Sequence, residues 1–166
     1  MAGKISQYTA DSRDRFADSD LFDISVDGGG GAWSTKSITG EKIKKSIPAE
    51  LIIAASDESS ALTVSATLVT FRMPYAMKLT EVRASLSVAG STSGVTDVDV
   101  LEGGVSILST RVTIDAGEKT STTAATPAVI SDSNLADDAE MTIDVRGITG
   151  GATEAGLKIT LIGYRA

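Results

Sequence analysis

Hydrophobic and polar residues alternate along several segments of the chain, which is the pattern of a β-strand with one buried face. Residues 81–88 show it most clearly, since their apolar positions are Val82, Ala84, Leu86 and Val88. The same period of two recurs at residues 97–100, 140–146 and 157–161. Shorter apolar runs predict further strands at residues 21–26, 34–39, 51–55, 62–64, 68–72 and 128–130. Most of the chain is therefore expected to form β-structure.

Turn and helix signals complete this prediction. Gly103-Gly104 is typical of a tight hairpin turn, here leading from the strand at 97–102 into a strand over 106–114. Helical patterns are confined to residues 42–47 and to a single turn at 134–138. About eight strands in about 115 residues, joined by short polar turns, favour an all-β fold, namely a jelly-roll-like β-sandwich with an extended N-terminal arm.

The distribution of charge predicts where the arm ends. The chain has 166 residues with 15 Lys plus Arg and 22 Asp plus Glu, a net charge of −7. Residues 1–48 hold 7 basic and 7 acidic groups, so residues 49–166, with 8 and 15, carry the whole excess. Pro48 marks the predicted boundary between an arm at 1–48, with short strands and a short helix, and a sandwich domain at 49–166. The arm is too short to bury a core of its own, so we expect it to pack against another chain.

Composition removes several classes of chemistry. The chain has no cysteine and no histidine, which excludes disulfides, thiolate nucleophiles and the histidine-dependent catalytic triads. The pI of about 4.5 disfavours nucleic-acid binding, which depends on basic side chains. The sequence has no apolar run of the roughly 20 residues that span a bilayer, and no secretory leader is recognisable. We expect a soluble, non-enzymatic protein without cofactor, metal, nucleic acid or membrane.

Two groups of acidic residues are candidates for a metal or catalytic site. Asp97, Asp99 and Glu102 could bind calcium or hydrolyse a glycoside, because both chemistries use clustered carboxylates. Alternation instead places Asp97 and Asp99 together on the solvent face of their strand, so solvated charges are the favoured interpretation. The same interpretation applies to the second group, which precedes a strand and consists of Asp137, Asp138 and Glu140.

Other features also have simple structural explanations. The glycines at 28–31 lack the Lys-Ser/Thr of a phosphate loop and predict a hairpin tip. A solvated helix face is favoured over contact with an acidic partner for the basic patch of Lys42, Lys44 and Lys45. Trp33 and Tyr75 could stack on a sugar ring, but neither has a second aromatic residue nearby in sequence. No catalytic constellation emerges from these residues.

Two parts of the chain resemble structural proteins of tailed-bacteriophage virions. The first is Lys4-Ile5-Ser6, followed by Asp20-Leu21-Phe22 and the STKSIT stretch at 34–39, which resembles their N-terminal arm. The second part resembles a β-sandwich module of fibre and appendage proteins, and it comprises residues 71–84, 106–110, 114–122 and 135–140. Departing from full-length tail fibres, the chain has no long shaft, tip domain or repeat.

The resemblance implies a protein made in the host cytoplasm and located in the virion. The small size favours a capsid decoration, or cement, protein: a homotrimer bound to the major capsid protein outside the shell, whose several arms act together. The arm residues expected to contact the partner are Ile5, Tyr8, Phe16, Leu21, Phe22, Ile24 and Trp33. Alternatively, these residues pack on the protein's own sandwich. The alternative function is a tail fibre or baseplate component that binds a host receptor or carbohydrate, and a glycan-degrading enzyme is a third, weaker hypothesis.

Overall fold

The computed structural model describes residues 17, 19–27 and 33–166. The chain divides into two units, Met1–Ser46 and Ile47–Ala166, so the division falls just before Pro48. The predictions for Ile5, Tyr8, Phe16 and the glycines at 28–31 lie outside the described residues.

The first unit contains an antiparallel pair of strands and one short helix. Strands β1 (Leu21–Asp27) and β2 (Trp33–Thr39) pair without a register shift, so both strand predictions for the arm are confirmed. Helix α1 (Gly40–Lys45) starts two residues earlier than predicted. The reason is Thr39, whose hydroxyl accepts a hydrogen bond from the backbone N–H of Lys42 at 3.3 Å and thereby caps the helix.

The second unit consists of short and medium strands with one turn of 3₁₀ helix at Ser121–Thr123. The strands are β3 (Ala49–Ala54), β4 (Ser65–Arg72), β5 (Met77–Ser85), β6 (Val95–Glu102), β7 (Val105–Ser106), β8 (Leu108–Thr110), β9 (Val112–Asp115), β10 (Val129–Ile130), β11 (Asn134–Leu135), β12 (Glu140–Gly147) and β13 (Lys158–Arg165). Gly103 and Gly104 join β6 to β7 with φ of 55° and 84°, a conformation that glycine adopts without strain. The predicted hairpin turn is therefore confirmed.

These strands form two main antiparallel sheets. One has the order β11-β5-β13-β3, and the other has the order β4-β12-β6-β7, with β9 also paired to β6. A further small pair joins β8 to β10. The predicted all-β, sandwich-like fold is confirmed, whereas the jelly-roll path stays a prediction.

The hydrophobic core draws side chains from both sheets. Val82, Ile159 and Leu161 come from the first sheet, and Val98, Met141 and Ile143 from the second; all are at least nine-tenths buried. They are the apolar positions of the alternating segments, so the sequence pattern identified the inward faces correctly. Burying each such side chain contributes about 1.5–3 kcal/mol.

A β-bulge in β5 sets which residues face this core. Met77 and Leu79 point inward at odd positions, whereas Val82 and Ala84 do so at even positions. The pairing with β13 shifts at the same place, because Glu81 faces Ile162 while Leu79 faces Gly163. One extra residue, Thr80, therefore separates the two halves of the strand. A Cβ atom on Gly163 would lie 2.0 Å from the carbonyl oxygen of Lys78, so only glycine fits opposite the bulge.

Four local predictions were wrong. Val88 is 43% exposed, because β5 ends at Ser85 and the alternation is lost beyond Leu86. Residues 134–138 do not form a helical turn, since Asn134 and Leu135 pair with the start of β5. Residues 62–64 form no strand, and Leu62 is buried as a single anchor. The strand expected at 106–114 is broken into β7, β8 and β9, with β8 leaving the main sheet to pair with β10.

Candidate functional site

The β1–β2 hairpin presents apolar side chains in the arm. Phe22, Ile24 and Val26 share one face of β1, and Ile38 lies directly opposite Phe22 on β2. Leu21 belongs to the other face and is 66% exposed, while Ile24 is 40% exposed. A two-stranded hairpin is only marginally stable by itself, and exposed aliphatic side chains on it are available to a partner.

Three of the predicted contact residues, Leu21, Phe22 and Ile24, are distributed over both faces of this hairpin. Phe22 and Ile24 come together on one face, whereas Leu21 is separated from them. Trp33 opens β2, where its backbone pairs with Asp27. Sequence reasoning missed Val26, which alternation within residues 21–27 would have placed on the face of Phe22. It also missed Ile38, whose position opposite Phe22 is set by the register of the two strands.

Helix α1 carries the predicted basic patch. Lys42 and Lys45 are exposed and Lys44 is partly buried. Lys45 pairs with Glu41 one turn earlier, Nζ to Oε1 at 2.5 Å, which supports a short exposed helix. The interpretation as a solvated helix face holds for Lys42 and Lys45.

The second unit carries an unexpected pair of buried carboxylates. Asp99 on β6 lies directly opposite Asp144 on β12, and the two residues are only 5% and 3% exposed. The expectation that Asp99 is solvated was therefore wrong, although Asp97 and Asp99 do share a face as predicted. Part of this cover comes from Ser106 at the end of β7, because its hydroxyl lies against the Asp99 carboxylate.

Each carboxylate of this acidic face, defined as Asp97, Asp99 and Asp144, is engaged by a donor. The Ser106 hydroxyl donates to Asp99 at 2.6 Å, and the backbone N–H of Thr67 donates to Asp144 at 2.6 Å. Arg146 pairs with Asp144 at 2.6 Å, while Arg111 forms a bidentate pair with Asp97 at 2.6–3.0 Å.

Arg111 donates hydrogen bonds to Asp97, and the Asp97 carboxylate is negatively charged. Both effects raise the pKa of the Arg111 guanidinium. Like charges on opposite strands repel, and the two arginines offset that repulsion. The arrangement supports a structural ion network, of which Asp97, Asp99 and Arg111 line a shallow cleft of about 380 Å³.

A third acidic side chain, Glu154, is fully buried. Its Oε1 accepts hydrogen bonds from the backbone N–H of Thr149 at 2.5 Å and from the Thr96 hydroxyl at 3.2 Å. Burial by itself raises the pKa of Glu154, but hydrogen bonds from its own backbone, Thr149 and Thr96 outweigh this and lower the pKa below its ordinary value. Sequence reasoning gave no signal for this residue, because a lone glutamate in a Gly/Thr-rich loop usually faces solvent.

Tyr75 is unsuited to the sugar-stacking role considered for it. The guanidinium of Arg165 lies 4.0 Å from the centre of its ring, a cation–π contact that occupies one ring face. A groove of about 390 Å³ runs between Thr80–Arg83 of β5 and the segment from Ala124 to Ile130, and no aromatic residue lines it. The turn residues Asp137, Asp138 and Glu140 are exposed, as predicted.

The part of the chain that the structure describes contains neither a metal-binding cluster nor a membrane-spanning helix. Within it, no three acidic side chains are placed to hold a metal ion. Among the same residues, no helix is both long and apolar enough to cross a membrane.

Comparison with known proteins adds no relative. No family model, curated protein or solved structure matches this chain.

Proposed function

We propose that this protein is a non-enzymatic structural protein of a tailed-phage virion, and specifically a capsid decoration protein attached through its N-terminal arm. One observation carries this proposal: the chain has a sandwich unit with a core of its own, and it also has an N-terminal hairpin whose Leu21 and Ile24 are exposed. A body with a core of its own and an arm with exposed apolar side chains suit attachment of one particle component to another.

The residues of the second unit support a structural role. Its clustered carboxylates accept hydrogen bonds or form ion pairs with arginine, serine and backbone donors. These contacts stabilise the sheet. The partner suggested by the resemblance is the major capsid protein. The resemblance also implies a homotrimer.

The test is attachment to purified particles that lack this protein. Ile24→Asp in the full chain places a charge among the apolar residues of the hairpin, so we expect co-sedimentation with particles to fall at least tenfold. The control is Val105→Asp, which changes an exposed valine on β7 (71% exposed) and should leave attachment unchanged. Undiminished attachment of Ile24→Asp, or equal loss with both variants, contradicts the proposal.

The alternative location, a tail fibre or baseplate, predicts a different abundance. A decoration protein is present in hundreds of copies per virion, whereas a tail component is present in a few multimers. Quantitative gel analysis of purified virions distinguishes the two.

A further inference from the structure

Strand β3 forms a free edge of the first sheet. Among the described residues it pairs only with β13, in one continuous register from Ala49 to Ala54. The backbone N–H of Ala55 donates to the carbonyl of Leu157 at 2.8 Å. The N–H and C=O groups of successive residues point to opposite sides of an antiparallel strand. The N–H and C=O groups of Leu51 and Ile53 therefore also point toward β13. The N–H and C=O groups of the even positions, Glu50, Ile52 and Ala54, are consequently directed away from the sheet, and no described residue pairs with them.

The other sheet edges are protected in ways that β3 is not. On the opposite side of the first sheet, β11 has only two residues, and the backbone of Leu86 on that side is paired with Lys119. In the second sheet, β7 is also two residues long. Strand β4 has a register shift, contains Thr67 at φ 58° and ends in the exposed Arg72. Short strands, bulges and charges are the usual protections against edge-to-edge pairing.

The side chains of β3 make this free edge apolar. Ile52, on the outer face, is 64% exposed, and Ile47 just before the strand is 62% exposed. Leu51 and Ile53 pack against the core but are only partly buried, because no strand lies beyond them. Glu50 is the one charged residue in the strand. A straight, aliphatic edge strand of this kind is a template for another strand.

We propose that β3 pairs antiparallel with β3 of a second copy of this chain, across a two-fold axis at Ile52. In this register, Ile52 lies opposite Ile52 of the second copy, and Leu51 lies opposite its Ile53. Glu50 lies opposite the small Ala54, so the two glutamates are kept apart. A shift by one residue would bring outer-face residues against inner-face residues, which the pleat forbids.

A second copy fits this edge because the strand is complementary to itself. Apolar side chains meet apolar side chains on both faces, and about six backbone hydrogen bonds form between the even positions. A contact of one short strand is smaller than the 1,200–2,000 Å² of a standard stable interface. The association is therefore reversible and depends on concentration. A two-fold contact uses the β3 edge of each copy, so neither copy has a β3 edge left for a third. The assembly therefore stops at a dimer and gives no trimer. This inference does not depend on the proposed function.

The first test measures the mass of the full chain in solution over a range of concentrations. Wild type should pass from monomer to dimer as concentration rises. Ile52→Lys places two ammonium groups opposite each other and should weaken dimerisation at least tenfold. Val105→Lys, on β7, is the matched control and should dimerise like wild type, with circular dichroism confirming that all three proteins are folded.

The second test traps the contact covalently. The chain has no cysteine, so Ile52→Cys introduces a single thiol at the two-fold axis. Mild oxidation should convert Ile52→Cys to a disulfide-linked dimer much faster than Val105→Cys at the same concentration. Equal rates for the two cysteine variants overturn the proposal. So does a chain that is monomeric at every concentration, a trimer, or dimerisation that Ile52→Lys leaves unchanged.

Discussion

Glu154 shows how a single buried side chain can hold a loop in place. It is fully buried, and its described partners are the neutral donors of Thr149 and Thr96. A buried carboxylate is costly unless donors replace its water, and removing it leaves those donors unsatisfied. The residue therefore contributes to stability through hydrogen bonds rather than through an ion pair.

We expect Glu154→Ala to lower the free energy of unfolding by about 3 kcal/mol, because it empties a buried site and leaves two donors without an acceptor. Glu154→Gln keeps an oxygen acceptor and should cost roughly 1 kcal/mol. Urea denaturation at neutral pH measures both variants. The exposed Asp137→Ala is the control and should change stability by less than about 0.5 kcal/mol. A Glu154→Ala protein as stable as this control would contradict the assignment.

Asp57 gives the protein a predictable response to acid. Its Oδ1 accepts hydrogen bonds from the backbone N–H groups of Ser60 at 2.6 Å and Ser59 at 2.8 Å, and these hold its pKa well below the ordinary value. The folded chain then binds a proton at Asp57 less readily than the unfolded chain does. This stabilisation is complete above the unfolded pKa of about 4 and is lost as the pH falls below it.

We expect the unfolding temperature of the wild type to decrease between pH 5 and pH 2, with a shallower decrease for Asp57→Asn, which cannot titrate. Thermal unfolding followed by circular dichroism at several pH values measures both slopes. Asp137→Asn is the matched control, since it removes an exposed carboxylate outside the 57–60 turn. Identical slopes for Asp57→Asn and wild type would show that Asp57 makes no such contribution.

At the scale of elements, the bulge between β5 and β13 requires glycine at position 163. A methyl group there would meet the Lys78 carbonyl oxygen at 2.0 Å, in the middle of two paired strands. We expect Gly163→Ala to lower the free energy of unfolding by about 3 kcal/mol or to prevent folding. Gly104→Ala meets no atom within 4 Å and is strained only by its φ of 84°, so it should cost roughly 1 kcal/mol. Equal stability losses in denaturant titrations of the two variants would contradict the close approach at Gly163.

The elements that sequence predicted well are those with a regular alternation of their own. Strands β12 and β13 follow from local pattern, because their apolar residues recur at every second position. Strand β11 could not be predicted, since two residues acquire their conformation only by pairing with β5. The break between β7 and β8 follows Ser106, whose hydroxyl donates to the Asp99 carboxylate, and alternation gives no signal for this contact.

At the scale of the whole molecule, the core formed by the described residues lies in the second unit. The buried cluster starts at Ala55 and ends at Leu161, within Ile47–Ala166. We therefore expect a chain lacking residues 1–46 to unfold cooperatively, within about 5 °C of the full-length protein. Calorimetry measures this shift. Loss of cooperative unfolding would show that the first unit completes the fold.

The candidate site could be predicted only in part. The sequence analysis expected Leu21 and Ile24 of β1 to be available to a partner, and both side chains are exposed. Which residues share a face with them depends on the register of β1 against β2, and this register places Ile38 opposite Phe22. The free edge of β3 was not predicted, because the order of strands in a sheet is not encoded in any one strand.

By itself, the sequence determined the all-β class, the inward faces of the long strands and a chain without thiol or imidazole chemistry. These properties depend on composition and on the period of nearby residues. Only the tertiary structure decided that Asp99, Asp144 and Glu154 are buried and that, among the described residues, the outer edge of β3 has no partner strand. The physical reason is that burial and edge exposure depend on which distant segments cover a residue, and long-range pairing sets that arrangement.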